Sequence, residues 1–172
     1  MAAGIASALT EVGGPDRIKH AFGRFTQGVV ALAALIDDRP EIMVVSTFTV
    51  GVSFDPPLAS FAADHRSVTW PQLAKARAIG VTALAGEQAS VVYQLAGSDR
   101  ARRFDAVPWS VGDEGEVLLD HGAAWLSCAL EAAHPAGDHD MVLLRVRSHA
   151  DEPQRRPIVL QRSTLHALDA AS

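Results

Sequence analysis

Five hydroxyl side chains, a glycine and a proline pair lie close together in the stretch STFTVGVSFDPPLASF, residues 46–61. Four of the hydroxyl residues, Ser46, Thr47, Thr49 and Ser53, precede the proline pair. Hydroxyl groups both donate and accept hydrogen bonds, and a proline pair fixes backbone φ angles where the stretch turns. Such a segment can hold its donors in place before a polar ligand arrives, although ordinary strand or turn residues would give the same letters. We therefore predict a binding loop.

Familiar phosphate-binding and nucleophile motifs are absent from the sequence. Neither G-x-G-x-x-G nor G-x-x-x-x-G-K-[ST] occurs, so a nucleotide would need another binding device, and no G-x-S-x-G elbow occurs either. The segment HPAGDHD, residues 134–140, gathers two histidines and two aspartates, but their spacing matches no common metal-ligand pattern. A solvated turn is the favoured interpretation, and we expect no metal site.

The composition predicts one acidic domain of ordinary size. The 172 residues include 15 Lys and Arg against 20 Asp and Glu, a net charge of −5, which provides no basic surface for nucleic acid. Cys128 is the single cysteine, so no internal disulfide forms, as is usual in a reducing compartment. No basic residue lies in the surrounding run AAWLSCAL, which predicts a buried and unreactive thiol.

The sequence contains no segment that we expect to enter a membrane. Its longest clean apolar run, VVALAALI at residues 29–36, is far shorter than the roughly 20 residues needed to cross a bilayer. The opening MAAGIASALTEVGG lacks the basic start of a secretory signal. We therefore expect a cytoplasmic protein, with a flexible lead at residues 1–14 and a single domain at residues 15–170.

Hydrophobic periodicity predicts a mainly β, α+β domain shaped as a β-barrel with a few short helices. A helix is expected to begin at Pro15, with Asp16 as its cap. The runs VVALAALID and EIMVVSTFTV predict a hairpin across the turn DDRPE, and PLASFAAD predicts a third strand. Helices are expected over SVTWPQLAKARA and GEQASVVYQLAG, with the strand AIGVTAL between them. Further strands between residues 117 and 161 bring the expected number to about seven.

The segment MVVSTFTVGVSFDPPLASFA resembles the signature of flavin reductase-like proteins with the FMN-binding split-barrel fold, which has the form M-T-V-S-S-F-T-S-V-S-L-D-P-P-L-V. Three further blocks follow in the family's order: SVTWPQL, then DRARRFDAVPWSVGDEGEVLLDHGAAWLSCAL, then GDHDMVLLRV with PIVLQRSTLHAL. The resemblance covers residues 22–168, almost the whole chain. It implies a homodimeric split β-barrel with flavin at or near the subunit interface.

The resemblance also implies which residues bind the flavin. They are Ser46, Thr47, Phe48, Thr49, Ser53, Pro57, Ala62, Arg66, Ser67, Thr69 and Trp70. Their hydroxyls and exposed N–H groups would bind the phosphate and the ribityl chain, and Arg66 would add a cation just before a predicted helix. Trp70 would either pack against the flavin or fill the mouth of the barrel.

His139, in the family's G-D-H block, is the implied catalytic residue. By the resemblance it lies near the flavin ring and the nicotinamide, where an imidazole orients the dinucleotide or assists proton movement as hydride reaches flavin N5. Alternatively, Asp138 and His139 only fix the start of a strand through hydrogen bonds. Placing the two rings face to face is expected to supply most of the catalysis.

The implied activity is that of an NAD(P)H-dependent flavin reductase, in which NADH or NADPH reduces FMN or FAD and a partner monooxygenase receives the reduced flavin. Two alternatives are a split-barrel oxidoreductase that retains FMN and acts on another small molecule, and a flavin- or heme-binding module without turnover. Three positions depart from the family pattern: Ile42 and Leu144 stand where glycines are usual, and Gly51 is an extra residue. With only 6% aromatic residues to stack on the ring, loose flavin binding is expected.

Overall fold

The computed structural model of the protein describes residues 6, 9 and 11–168. The α-helices are α1 (Pro15–Phe22), α2 (Trp70–Leu73) and α3 (Val92–Leu95), and short 3-10 helices span Gly86–Val91 and Arg100–Arg102. The strands are β1 (Gln27–Gly28), β2 (Val30–Ile36), β3 (Arg39–Val45), β4 (Thr49–Phe54), β5 (Pro57–Asp64), β6 (Ile79–Ala83), β7 (Trp109–Val111), β8 (Val117–Leu119), β9 (Ala124–Ala136), β10 (His139–Asp151), β11 (Ile158–Gln161) and β12 (Thr164–Ala167). The prediction of a mainly β fold with a few short helices is confirmed.

Seven strands form one antiparallel sheet in the order β3-β2-β6-β9-β10-β5-β4. Strands β1, β11 and β12 form a second, small sheet, and β7 pairs with β8. The order places β3 and β4 at opposite edges of the large sheet, yet only residues 46–48 separate them in the chain.

This short connection requires the large sheet to curl. In a flat sheet, six strand spacings of about 4.8 Å would hold the edges about 29 Å apart, whereas four residue steps reach about 14 Å. The edges therefore approach each other, and the sheet forms a barrel. We call the place where they meet the seam, defined as residues 43–48 together with residues 62–64 of β5.

Strand β2 is buried on both faces, and this explains the apolar run at residues 29–36. Val30, Leu32 and Ala34 belong to a core cluster that includes Phe61, which we call the barrel cluster. The alternate residues of β2 belong to a second cluster, which β8, α3 and β11 complete. Because successive side chains of a strand point to opposite faces, burial of both faces removes the apolar and polar alternation.

Three predicted elements are confirmed. The hairpin of β2 and β3 turns through Asp37 and Asp38, whose φ angles of 49° and 60° suit a two-residue turn between twisted strands. The third predicted strand is β5, which begins at Pro57 as expected. The segment GEQASVVYQLAG is helical as predicted, but it consists of the 3-10 helix Gly86–Val91 followed by the four residues of α3, and Gln88 and Leu95 in it are buried.

Several local predictions are wrong. Asp16 does not cap α1, because Gly14 occupies the cap position and no side chain bonds there. Residues 46–61 are not one loop, because Thr49–Phe54 pairs with β5 as an edge strand. The segment SVTWPQLAKARA forms only the four residues of α2, since the chain must enter the buried strand β6 soon afterwards.

The number of strands also exceeds the predicted number. Strands β1, β4, β7 and β12 were not expected. β1 and β7 have two and three residues, too few for any periodicity to appear. β4 and β12 are largely exposed, so they lack the apolar alternation that marks a half-buried strand.

Cys128 is fully buried in β9 and belongs to the barrel cluster. Burial raises the pKa of its thiol to about 12, because the apolar surroundings disfavour the thiolate. The predicted buried and unreactive thiol is confirmed.

The segment HPAGDHD forms the end of β9, a turn at Gly137 with φ of 71°, and the start of β10. Across residues 6, 9 and 11–168, no three His, Cys, Asp or Glu side chains gather in a way that would hold a metal ion. In the same residues, no helix has the length and apolar character required to cross a membrane.

Gly80 allows β6 and β8 to approach closely. A Cβ atom at Gly80 would lie 2.0 Å from the carbonyl oxygen of Val117, and backbone cannot yield as the end of a flexible side chain can. We expect Gly80→Ala to lower the free energy of unfolding by about 3 kcal/mol, measured by urea denaturation. Gly28→Ala is the control, because no atom lies within 4 Å of a Cβ there. Equal unfolding midpoints for the two variants would contradict this packing.

Candidate functional site

A cavity of about 320 Å³ lies at the seam. Its lining residues are Met43, Val44, Val45, Ser46, Thr47, Ala62, Asp64, Ser67, Thr69, Leu95, Ala96, Arg103 and His139. The lining therefore combines the end of β3, the loop that follows it, the end of β5 and the start of β10. The predicted site residues among them are Ser46, Thr47, Ala62, Ser67, Thr69 and His139.

The Thr47 side chain connects the loop at residues 46–48 to β5 through hydrogen bonding. The N–H of Ala62 donates to Thr47 Oγ1 at 3.0 Å, and the Thr47 hydroxyl lies 3.4 Å from the carbonyl oxygen of Ala62. The Thr47 hydroxyl is thus engaged within the protein. In the described part of the chain, neither the Ser46 hydroxyl nor the N–H groups of Ser46 and Thr47 have a hydrogen-bond partner. These donors are available to a ligand.

Ser67 and Thr69 lie between β5 and α2. The N–H of Trp70 donates to Ser67 Oγ at 3.0 Å, so this hydroxyl organises the start of α2. Thr69 is buried, and its hydroxyl accepts a hydrogen bond from Arg103 at 3.0 Å. Because α2 has only four residues, it provides a weak dipole, and this region contributes hydroxyl groups to the cavity instead.

Arg66 does not line the cavity. Its Nε and Nη2 donate to the Asp64 carboxylate at 3.1 and 2.7 Å, while 88% of its side chain remains exposed. These hydrogen bonds hold the pKa of Asp64 well below its usual range. Asp64 therefore stays ionised, and its pairing with Arg66 leaves little net charge at this edge of the cavity.

Arg103 is a cation that does line the cavity, although the sequence pattern did not indicate it. Its Nη1 donates to the Ile42 carbonyl at 2.7 Å and to Thr69 Oγ1, and its Nε donates to the Gly97 carbonyl at 2.8 Å. Arg103 is 8% exposed, and burial lowers the pKa of its guanidinium, with Arg100 adding a smaller effect. An arginine stays protonated even so. All three acceptors are neutral, so the cavity contains a buried positive charge.

The sequence contained one signal for Arg103, the run of three arginines in SDRARRF. Arg100 pairs with Glu41 and Arg102 pairs with Asp105, both at the surface. Periodicity could not indicate which arginine turns inward, because a short 3-10 helix connects them and all three are charged.

His139 lines the cavity at the first position of β10. Its Nδ1 lies 2.7 Å from Oδ1 of Asp138, and about a third of its side chain is exposed. The hydrogen bond from His139 lowers the pKa of Asp138. Because Asp138 engages Nδ1, the Nε2 atom of His139 is the one left for a ligand.

Three of the predicted binding residues lie on the β4–β5 hairpin, outside the cavity lining. Thr49 pairs with Ser60, Ser53 pairs with Leu58, and Pro57 begins β5 at the turn. Edge-strand pairing therefore separates these residues from Ser46 and Thr47, which precede the strand. The hydroxyl residues of the stretch at residues 46–61 therefore divide into two groups, one that lines the cavity and one that lies on the strands.

Two aromatic residues among the predicted site residues pack in or against the barrel. Trp70 is buried with its ring edge-on to Phe61, at 5.0 Å between ring centroids. Phe48 is partly buried and packs against the barrel cluster. Of the two roles considered for Trp70, its position corresponds to filling the barrel.

The three departures from the family pattern have structural explanations. Ile42 is buried, and its carbonyl oxygen accepts the hydrogen bond from Arg103. Leu144 is buried in the barrel cluster, where its side chain adds packing. Gly51 has φ of 74° and lies where the register of β4 against β5 shifts, so a bulge absorbs the extra residue.

Comparison with known proteins matches residues 22–169 to the flavin reductase like domain. The chain belongs to this family. A flavin reductase of Pseudomonas putida is 30% identical over 149 residues, which are 86% of this chain and 86% of the relative. The reductase subunit HsaB of a flavin-dependent monooxygenase from Rhodococcus jostii is 28% identical over 148 residues, which are 86% of this chain and 75% of the relative.

The fold of this flavin reductase-like chain is also found in solved structures. The NADH:FAD oxidoreductase SgcE6 of Streptomyces globisporus, solved in complex with NAD and FAD fragments, has a TM-score of 0.84. Its sequence identity is 24%, and the comparison covers 93% of this chain and 98% of SgcE6. This likeness confirms the predicted split-barrel fold.

The seam cavity of the flavin reductase-like chain fits the phosphate end of a flavin. Within the described residues, the unpaired N–H groups of Ser46 and Thr47 and the free hydroxyl of Ser46 are donors of the kind that a phosphate accepts from. Arg103 adds a positive charge that no carboxylate neutralises through its three hydrogen bonds. A flavin is flat and partly apolar, with an anionic phosphate at one end. Such a ligand requires hydrogen-bond donors and a positive charge at one end of a cavity that is lined by both polar and apolar groups.

Arg103 donates three hydrogen bonds, so we expect its substitution to lower the stability of the fold strongly. Arg103→Met leaves the carbonyl oxygens of Ile42 and Gly97 without this donor, so we expect the free energy of unfolding to fall by about 2–4 kcal/mol. The matched control is Arg102→Met, which removes only an exposed pair with Asp105 and should change stability by less than about 1 kcal/mol. Urea unfolding followed by circular dichroism measures both. A similar loss in the two variants would contradict the structural role of Arg103.

Proposed function

We propose that this protein is an NAD(P)H-dependent flavin reductase that binds FMN or FAD at the seam cavity. The observation that carries the proposal is the combination of free donors at Ser46 and Thr47 with the buried cation Arg103. Membership of the flavin reductase-like family supplies the class of reaction. A flavin held there would supply the acceptor for hydride from NADH or NADPH.

In this proposal, the residues at one end of the cavity hold the phosphate. Ser46 donates its hydroxyl and N–H, Thr47 donates its N–H, and Arg103 supplies the charge. The Thr47 hydroxyl acts indirectly, because its bond to Ala62 keeps the loop against β5. Since these groups are already fixed by the fold, little conformational entropy is lost when the ligand binds.

His139 is proposed to orient the nicotinamide nucleotide. Asp138 fixes the ring through Nδ1, which directs the remaining nitrogen, Nε2, to a ligand. Hydride transfer needs the two rings face to face and needs little proton transfer from the protein, so positioning is the main contribution. Among the described residues, no Phe, Tyr or Trp side chain lines the cavity to stack on a flavin, which suits a flavin that exchanges as a substrate.

The activity is tested by following oxidation of NADH and of NADPH by the purified protein, each with FMN, with FAD and without added flavin. We expect turnover that requires added flavin and saturates in it. Turnover without added flavin by a yellow protein would support the retained-FMN oxidoreductase instead. No turnover in any combination, with folded protein, would refute the proposed activity.

Ser46 offers a clean test of the phosphate site because its hydroxyl is free within the protein. We expect Ser46→Ala to weaken flavin binding about tenfold or more, since hydrogen bonds to a charged group contribute about 1.5–3 kcal/mol. Ser148→Ala is the control, because Ser148 is exposed on β10 and does not line the cavity. Fluorescence titration of FMN measures both variants. Equal flavin affinity in wild type and Ser46→Ala would remove Ser46 from the site.

His139→Gln separates positioning from a purely structural role. We expect the KM for the nicotinamide nucleotide to rise about tenfold, with little change in the KM for flavin, because the orienting group is lost. Steady-state kinetics and a thermal melt of the same variant provide the two readouts. Reduced thermal stability with unchanged KM values would mean that Asp138 and His139 only fix the start of β10.

We further propose that the protein is a homodimer that associates through β4. This edge strand exposes Val50, Val52 and Phe54, the last with 86% of its surface accessible. An edge strand with unpaired backbone groups and exposed apolar side chains favours association with a second chain. The proposed interface lies next to the loop at residues 46–48, so a partner would adjoin the flavin site.

Light scattering tests the dimer. We expect a mass of twice 18.2 kDa at micromolar concentration, and a shift to the monomer in Phe54→Asp, because a carboxylate cannot be buried there at low cost. Tyr93→Asp is the control, because Tyr93 is an exposed aromatic residue on α3 rather than on the sheet edge. A strictly monomeric wild-type protein would exclude an interface-bound flavin.

The reduced flavin is proposed to pass to a separate flavin-dependent monooxygenase in the cytoplasm. The reductase-subunit relative HsaB supports this partner, and an open site with weak flavin binding suits transfer by diffusion. The single cysteine, without any disulfide, agrees with a reducing compartment. Coupled oxidation assays with candidate oxygenases would identify the recipient.

A further inference from the structure

A cavity of about 300 Å³ lies along the chain segment that leads from α3 to β7. We call it the loop cavity, and its lining residues are Gln94, Gly97, Ser98, Asp99, Arg102 and Asp105. It shares no lining residue with the seam cavity, yet the two linings alternate along this segment, because Leu95, Ala96 and Arg103 line the seam cavity. The two cavities are therefore neighbours built from one stretch of chain.

The guanidinium of Arg103 lies between the two cavities. Its Nε donates to the carbonyl oxygen of Gly97, which lines the loop cavity, and its Nη1 donates to the hydroxyl of Thr69, which lines the seam cavity. Two hydrogen bonds and one guanidinium connect these acceptor atoms, so they are less than about 9 Å apart. An anionic group bound beside Arg103 would therefore lie close to both cavities.

The loop cavity itself carries no net positive charge. Its charged side chains are the cation Arg102 and the carboxylates Asp99 and Asp105. Arg102 Nε lies 3.3 Å from Oδ2 of Asp105, so these two charges largely cancel. The Asp99 side chain makes no capping hydrogen bond and has no ion-pair partner within the described residues. One uncompensated carboxylate disfavours an anion here and favours a neutral group that donates hydrogen bonds.

Gln94 adds a second acceptor to the loop cavity. Its amide nitrogen donates to the carbonyl oxygens of Arg103 and Asp105, at 3.2 and 2.8 Å. Because carbonyl oxygens only accept, these bonds fix the amide orientation and leave Oε1 as an acceptor, with no partner in the described part of the chain. The planar guanidinium of Arg102, whose side chain is 76% exposed, offers a face on which a flat ring can stack.

An adenosine group has the features that this lining selects. Its neighbouring ribose hydroxyls donate to a carboxylate, as they do in dinucleotide-binding folds. The amino group of adenine donates to an amide oxygen, and the adenine ring is flat and uncharged. In FAD, two phosphates join the adenosine to the rest of the flavin, so phosphates beside Arg103 would direct the adenosine to the loop cavity. FMN ends at its single phosphate and does not extend that far.

We propose that the loop cavity binds the adenosine group of FAD, so that the protein binds FAD in preference to FMN. Asp99 accepts from the ribose hydroxyls, Gln94 accepts from the adenine amino group, and Arg102 stacks on the adenine ring. The proposal rests on the flavin reductase function and names the flavin that this function uses. NADH also contains an adenosine group, but the position of Arg103 between the two cavities favours FAD as its source.

Calorimetric titration of FAD and of FMN into the full chain, without a nicotinamide nucleotide, tests the preference. We expect wild type to bind FAD at least about tenfold more tightly than FMN. Asp99→Ala should weaken FAD binding about fivefold or more and leave FMN binding unchanged, because only FAD reaches Asp99. Asp113→Ala is the matched control, because Asp113 is exposed and lines neither cavity, and it should change neither affinity.

A second variant fills the loop cavity instead of removing an acceptor. Ser98→Trp keeps Asp99 and Gln94 in place, and we expect it to lower the FAD affinity to about that of FMN, with circular dichroism confirming the fold. Equal affinities of wild type for FAD and FMN would overturn the proposal. An FAD affinity that stays unchanged in both Asp99→Ala and Ser98→Trp would also overturn it, because the adenosine would then lie elsewhere.

Steady-state kinetics distinguish the two possible sources of the adenosine group. We expect Asp99→Ala to leave the KM for NADH unchanged. A raised KM for NADH together with an unchanged FAD affinity would assign the loop cavity to the nicotinamide nucleotide and overturn the FAD proposal. Failure of wild type to bind or turn over either flavin would refute the reductase function itself, whereas equal binding of both flavins refutes only the adenosine site.

Discussion

Only three residues connect the two outermost strands of a seven-stranded sheet, and the rest of the structure depends on that connection. The connection curls the sheet and brings the end of β3 against β5. It also interrupts strand pairing, so the N–H groups of Ser46 and Thr47 have no neighbouring strand to donate to within the described residues. An unpaired backbone donor in a half-enclosed place is costly unless water or a ligand satisfies it. Barrel closure and the candidate ligand site therefore arise from one geometric requirement.

Arg103 contributes both to the stability of the seam and to its positive charge. One guanidinium links β3, the start of α2 and the turn after α3 through Ile42, Thr69 and Gly97. The same group gives the cavity its positive charge, in a protein whose net charge is −5. The overall charge would repel an anionic ligand, and for such a ligand this buried cation would provide a local attraction. A substitution that removed this charge would also remove the hydrogen bonds that link three parts of the chain. The charge of the candidate site and the stability of the fold therefore depend on the same side chain.

The sequence allowed prediction of the long apolar strands, the hairpin of β2 and β3, and the polar lining at Ser46 and Thr47, because hydrophobic pattern and hydroxyl clusters are local signals. It could not separate the loop from strand β4, since pairing with β5 depends on contacts between distant residues. Nor could it identify Arg103, because three nearby arginines have the same chemistry and only packing buries one of them. Residues brought together by closure have no fixed spacing in the chain.

Cys128 is the single cysteine, and its thiol lies in the middle of the barrel, so its reactivity can report when the barrel opens. Cys128 is fully buried, and its pKa is raised to about 12, so at neutral pH it is both inaccessible and almost entirely protonated. A thiol reagent can react only with molecules in which β9 has separated from its neighbours. The labelling rate of an unmodified sample would therefore measure how often the barrel opens, and its slowing by a bound ligand would give that ligand's stabilising effect without any introduced probe.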